Sequence, residues 1–131
     1  MGSFSNHWEN VILDHLFGKG NYAPPVIHVG LSTSDPTESG AGLSEPSGNG
    51  YSRVQTTEAD WSVAVDGLLS NAADITFDAA TGDWGTVTHF ALFNAASAGN
   101  MLAYGALTQA KTIGNGDTVQ FASGDLNITL D

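Results

Sequence analysis

The side chains able to do chemistry in this chain are four histidines, three tryptophans and fourteen carboxylates, with no cysteine at all. Helical metal sites pair histidines at i, i+4, because that spacing stacks two imidazoles on one face. His7 and His15 are eight apart, and His28 and His89 each stand alone in a strand-like pattern. All four are therefore read as structural. The glycine-flanked serine of a nucleophile elbow, G-x-S-x-G, is missing. So is the alternating Asp/Asn ladder of a calcium loop, and "GKGN" at 18–21 lacks the spacing that cradles a phosphate. Glycoside hydrolysis needs two facing carboxylates, one with a raised pKa; fourteen acids offer many pairs and select none. The recurring "GDW", "NGD" and "SGD" read instead as turns in which Asp bonds its own backbone. Thiol catalysis and cysteine-bound zinc are excluded outright. The expectation is a protein that is not an enzyme and has no cofactor and no metal.

Trp8, Trp61 and Trp84 could stack on sugar rings. Trp84, at a turn between Asp83 and Gly85, is the best placed of them. The preferred reading is a Trp that closes one end of the core, its N–H bonded to a turn carbonyl.

The elements that must carry these groups follow from periodicity. "SNHWENVILDHLFG" predicts one amphipathic helix over 5–18, capped by Asn6 with Glu9 three residues on. Trp8, Ile12 and Leu16 share its apolar face with Val11 and His15, and Gly18 and Gly20 stop it. A lone helix of this kind must lay that face on a sheet or on a partner, so Trp8, Ile12 and Leu16, with Trp84, are the candidate interface residues. Pro24-Pro25 enforces an extended approach to a strand in which Ile27, Val29 and Leu31 alternate with His28, Gly30 and Ser32. Small polar residues over 37–50 predict a long surface loop. Alternation resumes over Tyr51–Thr56 and a short strand follows at Ile75–Phe77. In "GDWGTVTHFALFNAASAGN", Gly82 to Asn100, both faces of the strand carry apolar groups: Val87, His89, Ala91 and Phe93 on one, Thr88, Phe90 and Leu92 on the other. That predicts a central strand. "MLAYGAL" returns antiparallel, and two last strands place Leu126, Ile128 and Leu130 inward. Seven or eight short strands between glycine turns, after one helix, predict a single all-β domain over 1–131, mainly an antiparallel sandwich or barrel.

Composition bounds the partners. Net charge is −11, and Lys19, Arg53 and Lys111 are the only cations. Displacing counterions from phosphates needs clustered cations, so no nucleic-acid partner is expected. No stretch approaches the apolar length of a membrane span, and no basic region precedes an apolar run at the start; neither a membrane nor a secretory signal is expected. Charged residues are 13% of the chain, about half the usual share, as in proteins whose surface packs on neighbours.

The order of motifs resembles a family of short tailed-bacteriophage virion proteins, often labelled tail-fibre proteins. The resemblance runs from Tyr22 to Asp131 and rests on Ser34-Asp35-Pro36, Gly50-Tyr51-Ser52-Arg53, Asp83-Trp84-Gly85-Thr86-Val87-Thr88-His89 and Gly124-Asp125-Leu126. It implies a structural part of the virion without catalytic residues. Fibre shafts are long and repetitive, whereas this chain has no repeat. The expectation is accordingly a capsid decoration or cement protein on the head, a homotrimer clasping the major capsid protein or other virion proteins at three-fold positions. A tail-fibre or baseplate adhesin module contacting the host surface is the alternative.

Overall fold

The structure is a computed structural model that describes residues 2–130; the two terminal positions of the expected domain lie outside these. It is mostly β, with one N-terminal helix, as the alternation predicts. Strands β1 (Gly2–Phe4), β2 (His28–Ser32), β3 (Val54–Gln55), β4 (Leu68–Ser70), β6 (Gly85–Phe93), β7 (Met101–Ile113) and β9 (Asn127–Thr129) form one curled sheet in the order β3-β2-β6-β7-β1-β9-β4. Its neighbours are antiparallel except β1 and β9, which run parallel. Strands β5 (Ile75–Thr76) and β8 (Gln120–Phe121) pair as a separate ribbon.

The ribbon covers one face of the sheet. Phe121 meets Phe77 and Phe90 edge-on, each at 6.3 Å between ring centroids. Val29, Leu31, Leu92, Leu102, Trp84 and Leu126 complete that core. Ala91, Phe93 and Met101 pack on the opposite face with Leu43 and Tyr104. Strand β6, flanked by β2 and β7 and buried on both faces, is thus the central strand its two-sided apolar pattern predicts.

The register between β6 and β7 shifts at two points, Val87/His89 and Leu92/Phe93, and the first of them breaks the strict alternation of β6. Val87 pairs with Lys111, but His89 pairs with Ala106, so four residues of β7 bulge opposite Thr88. A bulge changes which face the next side chain takes. Val87 therefore joins Phe90 and Leu92 in the main core, and not His89, Ala91 and Phe93 as expected. The expected strand over Tyr51–Thr56 shrinks to β3, because Tyr51 and Arg53 turn their side chains onto the 37–50 segment. Leu130 is 58% exposed and not inward, since β9 ends at Thr129 and Leu130 passes beyond the covered part of the sheet.

Helix α1 spans Asn6–Leu16, shorter than the expected 5–18. Its cap is Ser5, not Asn6. The Ser5 hydroxyl accepts from Trp8 N–H at 3.4 Å and donates to the Met101 carbonyl at 2.6 Å, which ties the first turn to β7. Asn6 instead gives its backbone N–H to Glu38 O. The helix stops in a Schellman motif: Gly18 sits at φ +72°, its N–H donates to His15 O, and Lys19 N–H donates to Asp14 O at 2.7 Å. No helical residue is fully buried.

The 37–50 segment is mostly exposed yet pinned to the sheet. Ser44 O accepts from Thr33 N–H at 2.9 Å, and Gly42 O accepts from the Ser34 hydroxyl. Glu45 pairs with Arg53 side-on, along one edge of the guanidinium, Nε to Oε2 at 3.0 Å and Nη2 to Oε1. The guanidinium lies 3.5 Å from the Phe93 ring centroid, and its Nη1 donates to Ala95 O and Ala98 O in the β6–β7 turn. Tyr51 OH donates to Glu45 and accepts from Leu31 N–H. Gly30 leaves room for this network: a Cβ there would fall 2.9 Å from Phe93 and 3.0 Å from the Tyr51 oxygen.

Candidate docking surface

The ribbon covers only part of the sheet's core face. Register places Leu92, Ala103 and Phe4 in one row across β6, β7 and β1, and Ile128 beside Leu69 across β9 and β4. Phe4, Leu92, Ile128 and Leu69 form the floor of an apolar groove of about 920 Å³. One wall is Trp8 and Ile12 of α1; the others are the 22–27 strap and the 55–64 segment with Trp61 and Val63. Trp8 lies on Phe4 with ring centroids 4.6 Å apart. Val26, Val63 and Leu130 stand on the rim, each more than half exposed. Glu58 is the one charged residue lining the groove.

Two polar atoms in this groove have no partner. Trp8 Nε1 and Tyr22 OH are both shut off from water, and neither makes a hydrogen bond. They lie close enough for the indole to counter part of the upward pKa shift that burial imposes on the phenol, but not in hydrogen-bond geometry. An unpartnered buried donor costs free energy until something accepts from it.

The four expected interface residues separate here. Trp8 and Ile12 line the groove. Leu16 lies one turn beyond Ile12 and is 71% exposed, beside Phe17 at 74%. Trp84 is the correction: it is buried, its Nε1 donates to Asn49 O at 2.8 Å, and its ring meets Tyr51 edge-on at 5.3 Å. It closes the end of the core and presents no face to a partner or a sugar. Sequence reasoning passed over Tyr22 and Val63, weighed Trp61 only for stacking on sugars, and placed Leu130 inward in the core and not on the rim of a groove. The available signal was "SVAVDG", where Val63 and Val65 alternate outward in a segment that bridges back to β4 at Val65–Leu68 and leaves both side chains exposed.

Elsewhere the polar groups are engaged in structure. Asp117 and Asp125 accept from the backbone N–H three residues before, Gly114 and Ala122, as the "NGD" and "SGD" turns predict. His89 Nδ1 lies 2.8 Å from the Thr88 hydroxyl, and His15 Nδ1 accepts from Tyr22 N–H. His28 is buried in β2 with Nδ1 unpartnered, and His7 borders a smaller cleft of about 370 Å³ beside Glu45 and Arg53. Burial, then the Glu45 carboxylate, drive the Tyr51 pKa well above the ordinary phenol range. Among the described residues no three His, Asp or Glu converge as metal ligands, and no helix is long and apolar enough to cross a membrane.

A comparison with curated proteins finds no match to the chain. A family model described as "Podophage GP4 fiber I protein gp80" matches residues 3–129, from the first strand through the last. A match of that extent places the chain in the podophage GP4 fiber I protein gp80 family, and with it among the structural proteins of the phage virion.

Proposed function

We propose that the chain is a fibre component of a podophage virion, a β module that acts by docking and not by catalysis. The family match over residues 3–129 carries this reading. It favours a fibre over the head-decoration role that compactness and the lack of repeats suggest. The geometry supports a building part: the aromatic groups at Trp84 and Tyr51 are used in packing, and the large apolar opening lies between α1 and the sheet. Burial of Trp84 also removes the best candidate for stacking on a host glycan, so assembly is favoured over receptor contact.

Labelling purified virions with an antibody against this chain, read by electron microscopy, tests the proposal. Label confined to tail-proximal appendages is expected. A uniform coat over the head, in fixed ratio to the major capsid protein, would overturn it in favour of decoration.

A further inference from the structure

We propose that Asn115 is a site of spontaneous covalent modification, losing its side-chain amide to attack by the Gly116 nitrogen. Asparagine is a thermolabile residue, and a following glycine eases the attack because no Cβ blocks the close approach. The chain has two such steps, Asn49-Gly50 and Asn115-Gly116. All four residues are exposed, so exposure does not separate the pairs. Hydrogen bonding does. Ring closure needs the asparagine side chain to swing and the peptide plane after it to turn. At Asn49 both movements are held. Its Nδ2 donates to Asp83 O at 2.9 Å, and its carbonyl accepts from Thr81 N–H at 2.9 Å and from Trp84 Nε1 at 2.8 Å. Gly82 packs directly on the amide: a Cβ there would fall 2.7 Å from Asn49 Cγ. The Asn115 side chain makes no hydrogen bond among the described residues, and a Cβ on Gly116 would meet nothing within 4 Å. A single bond restrains this step, Gly116 N–H to Ala80 O at 2.7 Å.

The Gly116 nitrogen bonds to Asn115 Cγ as the Cγ–Nδ2 bond breaks, and ammonia leaves with the proton from that nitrogen. Water then opens the cyclic imide at either carbonyl. One opening leaves an aspartate; the other leaves an isoaspartate, whose main chain runs through the former side chain. Either product adds a carboxylate to a corner that already holds two. A Cβ on Gly114 would lie 3.5 Å from Asp83 Oδ1 and 3.8 Å from Asp117 Oδ2. The isoaspartate also lengthens a corner that is pinned on both sides. Gly116 N–H donates to Ala80 O, Ala80 N–H to Asp117 O, and Gly114 N–H to Asp117 Oδ2. Ala80 and Trp84 are buried beneath this corner, and Trp84 N–H donates to Ile113 O at its start. Conversion of Asn115 thus loosens the end of the core that Trp84 closes.

The modification belongs to the chain itself and does not depend on the fibre reading, so the purified protein tests it alone. Folded protein is incubated in mildly alkaline buffer, beside a sample unfolded in urea, and both are followed by peptide mapping with mass spectrometry. In the folded protein Asn115 is expected to convert at least about tenfold faster than Asn49, the factor that two further hydrogen bonds supply. In urea the two steps should convert at comparable rates, since only the fold distinguishes them. The urea midpoint of the folded sample should fall as Asn115 converts. Over the same incubation it should hold steady in Asn115→Gln, an exposed change whose longer side chain does not close the same ring. Asn49 converting as fast as Asn115 in the folded protein, Asn115 staying intact while the unfolded chain converts, or a midpoint that does not follow the conversion would each overturn the proposal.

Discussion

Arg53 is where the fold depends most on a single polar side chain. Its side chain is 5% exposed and that of Glu45 20%, so Arg53→Ala would strand a mostly buried carboxylate. Breaking a buried pair from one side costs about 3–5 kcal/mol. The lost contact with Phe93 is part of that figure, since a cation over a ring contributes about 0.5–2 kcal/mol. Ala95 and Ala98 lie toward the surface, where water can replace the lost donor. Some hydration of Glu45 also pulls the expected cost toward the lower end, about 3 kcal/mol. For a domain of this size, that is a fall in Tm of roughly 10–15 °C. Urea unfolding followed by circular dichroism, with matched m-values, is the assay. Arg53→Lys keeps the charge but loses the planar fork and should cost about half as much. The double variant Arg53→Met/Glu45→Leu should recover to within about 1–2 kcal/mol of wild type, as buried pairs replaced by apolar groups commonly do, the remainder being the Tyr51 hydroxyl left without its acceptor. A cost below about 1 kcal/mol for Arg53→Ala would place the pair in the surface class and refute the argument that it clamps the 37–50 segment.

Other substitutions test other parts of the fold. Trp84→Ala should cost about 3–5 kcal/mol by opening a cavity at the core end, read as a shift of the urea midpoint. Gly30→Ala drives a methyl into Phe93 and the Tyr51 hydroxyl and should cost about 1–3 kcal/mol. Ser5→Ala removes the helix cap and the bond to Met101 O, for about 1–2 kcal/mol, with helical ellipticity reduced at moderate temperature. Tyr51 predicts an alkaline limit. Its folded pKa is raised above the ordinary value of 10.0, so the unfolded chain releases that proton first. Stability should be level below pH 10 and fall above it, by at most about 1.4 kcal/mol per pH unit. The slope should flatten in Tyr51→Phe.

Much of the fold was legible because the strands carry their own period. His28–Ser32 and Gly85–Phe93 read as strands from alternation, and the second as central because both its faces are apolar. What escaped was set by contacts distant in sequence. Strand β1 has three residues and exists because β7 and β9 flank it. The face of Val87 depends on a bulge opposite residues about twenty positions away. The choice of Ser5 over Asn6 as cap is made by the Met101 carbonyl, which nothing local reveals.

The docking surface was half legible for a related reason. The i, i+4, i+8 stripe Trp8–Ile12–Leu16 announces a helix face in need of cover, but not that the cover runs out after Ile12. The sheet row Leu92–Ala103–Phe4 supplies apolar floor for the first two side chains and nothing for the third. The ribbon that could have extended the cover is drawn to the other part of the sheet face, where Phe77, Phe90 and Phe121 interlock. One sheet face is thereby divided between a closed core and an open groove, and an 11-residue helix ends with its last apolar residues in solvent. Contiguous exposed apolar surface of this kind marks an interaction site, and the proposed fibre role would give it a partner.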